Sequence, residues 1–187
     1  GVQTCALPIS EARDPRERCE WLGLFADATE FSDDVQLAEI VHAALPGTIE
    51  DLETLVRAAY EPGEGLFGAP ADEQCRSASA LITAFELTGR LPYSMLAEEL
   101  LGVLRRNVWD EAAGSFRASF EVNCEAARVL CRLAALGRDP EYAAATGKQE
   151  AEDHLSAGER VVRQQRRLGV GLVEVLQDGH EIGRAHV

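Results

Sequence analysis

Apolar residues recur at helical spacing along most of the chain. The sets are Ile49, Leu52, Leu55, Val56 and Ala59; Cys75, Ala78, Leu81, Ile82 and Phe85; Leu96, Leu100, Val103 and Leu104; and Ala126, Val129, Leu130 and Leu133. Steps of three and four place each set on one face of a helix, which holds only when a neighbour covers that face. The pattern predicts an all-α fold with almost no strand; Val170 to Val175 is the one segment β-branched enough to compete. A helix is expected from Ser32 to Ala44 and another from Thr48, whose hydroxyl can cap while Asp51 sits three residues on. Two more are expected from Glu141 to Leu155 and from Ala157 to Leu176. Gly89 and Gly137 suit left-handed helix ends, and Pro92 and Pro140 suit the first turn of the helix that follows.

The punctuation repeats. Sliding the chain on itself by 49 residues aligns Tyr60 to Tyr93 with Trp109 to Tyr142 and matches Gly65/Gly114, Phe67/Phe116, Ala69/Ala118, Cys75/Cys124, Ala78/Ala127, Leu81/Leu130, Leu87/Leu136 and Tyr93/Tyr142. About two or three identities are expected by chance in so Ala-rich a window, so these eight point to a duplicated unit. The pairs Tyr60/Trp109, Glu61/Asp110, Asp72/Glu121 and Gln74/Asn123 are conservative. Each unit reads as helix, long loop, helix, short turn. Gly23-Leu24-Phe25 resembles Gly65-Leu66-Phe67 and is read as a degenerate earlier copy. The expected hairpins run over about 15–45, 48–88, 92–136 and 140–177.

The two ends read differently. Gln3 to Ile9 can be written CAG ACG TGT GCT CTT CCG ATC, and Ile182 to Val187 can be written ATC GGA AGA GCA CAC GTC. The second string is the reverse complement of a stretch inside the first. Residues 1–9 and 181–187 are therefore expected to be translated sequencing adapter, leaving 10–180 as a fragment of one domain. Hairpins cut from a closed ring would expose apolar flanks, so self-association is expected.

The chain has 187 residues, 18 Lys+Arg against 32 Asp+Glu and a net charge of −14. Such a surface repels phosphate backbones and anionic lipid, which disfavours nucleic-acid and membrane partners. No apolar run approaches the length of a bilayer span and no export signal is visible, so the expected location is cytoplasmic. Cys75 and Cys124 hold equivalent repeat positions and could face each other across adjacent helices. With no Cys-x-x-Cys and no histidine nearby, a zinc site is not expected, and the cysteines read as free, small apolar residues. Glu61-Pro62-Gly63-Glu64-Gly65 lacks the Gly-Lys-Ser/Thr ending and the preceding strand of a phosphate loop. Arg160 to Arg167 reads as a solvated face. No cofactor is expected.

Trp109-Asp110-Glu111-Ala112-Ala113-Gly114-Ser115-Phe116, then Asn123 to Leu130, then Gly137-Arg138-Asp139-Pro140-Glu141-Tyr142, resembles the α/α-toroid proteins and, more narrowly, the six-hairpin glycosidase-like superfamily. That superfamily includes N-acylglucosamine 2-epimerase-like and thioredoxin-fused six-hairpin proteins. The resemblance covers about Thr48 to Leu155 and implies a truncated α/α toroid. It also implies sugar binding or glycoside processing where the outer-to-inner loops, Tyr60 to Gln74 and Trp109 to Asn123, line a mouth. The loops carry Glu64, Asp72, Glu73, Asp110, Glu111 and Glu121 with Tyr60, Phe67, Trp109, Phe116 and Phe120. Glycoside hydrolysis uses two carboxyl groups, and flat aromatic faces suit pyranose rings. Glu73 and Glu121, next to the inner-helix starts, are the candidate catalytic residues. Tyr60, Phe67, Trp109, Asp110, Phe116, Phe120 and Asn123 are the candidate substrate-binding residues. Asp72 and Glu121 serve equally well as helix caps, and Phe67 and Phe116 as packing. The inner-helix regions contain no histidine, His42 and His154 lying on other helices, so epimerase chemistry is not expected. The rival expectation is a hairpin-repeat scaffold that binds protein without catalysis; aromatics and acids converging at one mouth favour sugar, and a continuous groove along the stack favours the scaffold.

Overall fold

The computed structural model describes residues 9, 11–31, 35–59, 65–137, 157 and 160. Tyr60, Glu64, Pro140, His154, Val170 to Val175 and both chain ends lie outside them, as do most of the basic stretch at 160–167 and the helices expected after residue 140. Five helices carry the described chain: α1 (Pro15–Phe31), α2 (Val35–Ala59), α3 (Ala71–Thr88), α4 (Leu91–Val108) and α5 (Phe120–Gly137). The fold is all-α, with one two-residue hairpin, β1 (Trp109–Asp110) and β2 (Ser115–Phe116).

α1, α3 and α5 lie side by side, with α3 in the middle; α2 rests on α1 and α4 on α3. Contacts give the direction. Arg16 reaches Ser77, Cys19 reaches the Ala80 carbonyl, and Gly23 abuts Thr83. Residue numbers rise together, so α1 and α3 run the same way. Arg128 meets Ser79 and Arg132 meets Thr83, each pair 49 residues apart. The offset that aligns the two copies in sequence is thus the offset at which α3 and α5 touch, and each position meets its own repeat equivalent.

The core follows from the apolar faces. Leu81, Ile82, Leu100, Leu101, Leu104, Val129, Leu130 and Leu133 are fully buried around α3, and Leu22 and Leu52 are fully buried on α1 and α2. Side chains of this size each contribute about 1.5–3 kcal/mol when removed from water. The turn between α3 and α4 is as expected: Gly89 adopts φ 68° and ψ 9°, its N–H donates to the Phe85 carbonyl at 2.7 Å, and Pro92 sits in the first turn of α4. A left-handed φ favours glycine because no Cβ meets the following carbonyl. Tyr93 Oη then donates to Glu53 at 2.7 Å, tying the start of α4 to α2.

Three sequence expectations are corrected. No helix begins at Thr48: α2 continues through Pro46 and Gly47, and the Thr48 hydroxyl donates back to the Ala44 carbonyl at 3.0 Å. The break expected between hairpins at 45–48 is therefore absent. Pro46 removes one internal hydrogen bond, but burial of Ile49 and Leu52 on the same helix outweighs that loss. Gly23-Leu24-Phe25 is no loop; it lies inside α1. Gly23 is there because a Cβ would sit 2.6 Å from Thr83 Cγ2, so it permits close approach of α1 to α3. Finally, neither Asp72 nor Glu121 is the helix cap: Pro70 precedes α3 with no side-chain cap, and the Ser119 hydroxyl accepts from the Val122 N–H before α5.

Candidate functional site

The loops ahead of α3 and α5 are built by one device used twice. Gln74 Nε2 donates to the carbonyls of Phe67 and Ala69, at 3.3 and 2.8 Å. Asn123 Nδ2 donates to the repeat-equivalent carbonyls of Phe116 and Ala118, at 3.0 and 3.3 Å, and to Ser119 at 3.0 Å. Asn123 Oδ1 also accepts the Phe116 N–H at 2.9 Å, whereas Gln74 Oε1 is buried without a partner. The amide at the first turn of each of these two helices folds its loop back, and this engages Asn123, a candidate ligand residue, in loop structure.

Three of the candidate aromatics, Phe67, Trp109 and Phe116, are likewise drawn into packing. Trp109 and Phe116 stack edge to face at 5.0 Å between centroids, and Phe116 is buried. The Trp109 ring carries the Arg105 and Arg160 guanidiniums at 5.7 and 5.2 Å, and its Nε1 donates to Glu111 at 2.6 Å. Arg160 pairs with Glu111 at 2.7 Å, again across 49 residues. Asp110 Oδ1 accepts the Ala113 N–H at 2.9 Å inside the turn that Gly114 closes at φ 65°. Phe67 packs against the core, and Phe120 is exposed.

Among the described residues, concave space lies along α1, α3 and α5. A cavity of ≈ 320 Å³ at their N-terminal ends is lined by Arg16, Glu17, Glu20, Asp72, Cys75, Arg76, Glu121, Val122 and Glu125. A second, of ≈ 700 Å³, runs toward their C-terminal ends between Glu20, Gly23, Asp27, Thr83, Glu86, Arg128 and Arg132, with Leu24 and Leu87 on its walls. Glu20 lines both, so the two adjoin at this residue. Of the expected site residues only Glu121 lines either cavity. Glu73 turns to α1 and pairs with Arg16, so the two candidate catalytic acids are engaged differently.

Polar side chains bridge the three helices beneath this surface. Ser79 Oγ donates to Glu20 at 2.5 Å and accepts from Arg128 at 2.9 Å, while Arg128 pairs with Glu125 at 2.8 Å. Arg132 donates to Thr83 at 2.8 Å and pairs with Glu86 at 2.6 Å. Sequence reasoning missed this ladder because Arg128 and Arg132 differ from their repeat equivalents, Ser79 and Thr83. The signal was the i, i+4 spacing of both pairs, which places two hydroxyls opposite two guanidiniums once the helices run parallel.

The electrostatics set the reactivity. Burial, helped by the Glu20 charge, pushes the Cys19 thiol up to about 12, and burial with the Glu125 and Asp72 charges does the same for Cys75. Both are poor nucleophiles. Cys124, exposed, does not share the environment of its repeat equivalent Cys75. Its own backbone N–H and the Ser119 hydroxyl hold the exposed Glu121 carboxyl below its usual value, which keeps it ionised and ill suited to donate a proton near neutrality. Among the described residues no group of three or more His, Cys, Asp or Glu could hold a metal ion, and no helix is long and apolar enough to cross a membrane. Compared with known protein families, curated proteins and solved structures, the chain matches none.

Proposed function

We propose that the chain is a non-catalytic helical-repeat module that binds a polypeptide along the face formed by α1, α3 and α5. The observation that carries this reading is the pair of cavities joined at Glu20, which run along successive parallel helices while Phe67, Trp109 and Phe116 are engaged in packing. Repeat arrays whose units touch mainly their neighbours present such extended surfaces. The test is selection of peptides from a displayed random library against the chain, followed by the Ala26→Trp variant, which fills the larger cavity. Selected peptides are expected to lose binding to that variant; retention of binding contradicts the reading.

A second reading, part of a carbohydrate-active α/α toroid, is favoured by one observation: Glu121 and Asp72 open on the smaller cavity at the helix N-termini, where the resemblance places a sugar. It predicts that Glu121→Gln and Glu73→Gln abolish glycoside turnover or oligosaccharide binding in the protein. Unchanged turnover excludes these acids from such chemistry.

A further inference from the structure

The groove's charge is unevenly neutralised, and this specifies a partner. Glu20, Glu86 and Glu125 are paired with Arg128 or Arg132, and Arg16 and Arg76 pair with Asp14 or Glu73, which line neither cavity. Every guanidinium that lines the groove therefore has a carboxylate. The converse fails: among the described residues Glu17, Asp27 and Asp72 have no cationic partner, and Glu121 is held only by Ser119 and its own N–H. The acids with no arginine of their own sit at two places, Asp27 in the larger cavity and Glu17, Asp72 and Glu121 in the smaller. Between them Glu20 is bound to Arg128, which also serves Glu125, so that group keeps one negative charge.

Glu17 and Asp27 are ten residues apart on α1, which at the helical rise is about 15 Å. An extended polypeptide covers that distance in about four to five residues; a helical one would need about ten. Between the two acidic places the groove offers Ser79-buttressed Glu20, Thr83 and the Arg128 and Arg132 donors, which suit the amides of a peptide main chain. No aromatic side chain among the described residues lines either cavity, so the flat platform that sugar rings favour is missing. We infer that the groove takes an extended peptide segment bearing two basic side chains about four to five residues apart, one set against Asp27 and the other against Glu17, Asp72 and Glu121. This rests on the scaffold reading above and adds the partner's chemistry to it.

The experiment is fluorescence anisotropy of the full chain with labelled Ser/Ala peptides carrying two lysines. In one peptide they are four residues apart; in a second they are adjacent; a third has none. The spaced peptide is expected to bind most tightly and to weaken as salt is raised, because partly exposed charge pairs are screened. Asp27→Asn and Asp72→Asn should each weaken it by about two- to fivefold, and together by about the product, since the two sites lie far apart. Both positions are exposed, so the variants keep the fold, which circular dichroism checks. Glu99→Gln, exposed on α4 away from the groove, should leave the affinity unchanged. Equal binding of the adjacent-lysine peptide, or no effect of Asp27→Asn, overturns the inference. If only lysine-free peptides bind, and Ala26→Trp blocks them, the basic-segment inference falls while the scaffold reading stands. If no peptide binds and a neutral oligosaccharide does, both fall.

Discussion

Replacing Asn123 by alanine removes an amide that holds the second loop from both sides. Its oxygen accepts the buried Phe116 N–H at 2.9 Å, and its nitrogen donates to the carbonyls of Phe116, Ala118 and Ser119. Two of the carbonyls can turn to water, but the Phe116 N–H cannot, because Phe116 is buried. Orphaning that group costs about 1–3 kcal/mol, and each of the three lost donations about 1 kcal/mol net, giving about 4–6 kcal/mol in all. Gln74→Ala is the matched perturbation in the first copy. It loses two donations, to Phe67 and Ala69, but also removes an oxygen already buried without a partner, so it costs about 1–2 kcal/mol. The difference, about 3–4 kcal/mol, is a large fraction of a domain's stability. Urea unfolding of both variants should show Asn123→Ala with the lower midpoint at an unchanged slope. Equal midpoints, or a larger loss for Gln74→Ala, would refute the claim that the same clamp is stronger in the second copy.

Gly23→Ala should destabilise by about 1–3 kcal/mol by overpacking against Thr83 Cγ2, and Thr83→Ser, which removes that methyl, should recover part of the loss in a double-mutant cycle. Mass spectrometry of natively alkylated protein should find Cys124 and Cys131 modified and Cys19 and Cys75 protected until urea unfolds the chain. Because the folded thiols of Cys19 and Cys75 titrate near 12 against an ordinary 9.0, the unfolded state releases their protons first. Stability should be fully present below pH 9 and fall between about 9 and 12, and the Cys19→Ala/Cys75→Ala variant should lose that dependence. Self-association, expected from the sequence, predicts a sedimentation coefficient that rises with concentration; a coefficient independent of concentration contradicts it.

The helical spacing made most of the architecture legible. The starts of α3 and α5, the Gly89 stop and the proline in the first turn of α4 all follow from local chemistry that a linear pattern preserves. The 49-residue offset was legible too, and it is the offset at which α3 and α5 touch. Pro46-Gly47-Thr48 misled because propensity treats them as a break, whereas Leu52 and Ile49 are buried by tertiary contacts that carry the helix across. Gly23 misled for the opposite reason: its meaning lies in Thr83, sixty residues away in sequence. The candidate site was the least legible part. Aromatics and acids in long loops look alike whether they face a ligand or fold the loop, and Trp109, Phe116 and Asn123 do the latter. The groove itself depends on which side chains meet across three helices, and only Asp72 and Glu121 among its acids stood out in the sequence.

The central claim is that two copies of one unit stand side by side with α3 and α5 running the same way in register. Spin labels at exposed equivalent positions, in a background whose native cysteines are replaced by alanine, test it directly. The pairs 72/121 and 86/135 should give matching short distances, near a helix-to-helix spacing of about 8–10 Å plus the label arms. The crossed pairs 72/135 and 86/121 should be clearly longer, because fourteen residues offset them by about 21 Å along the axis. Short crossed pairs with long equivalent pairs would mean antiparallel helices and would contradict the account.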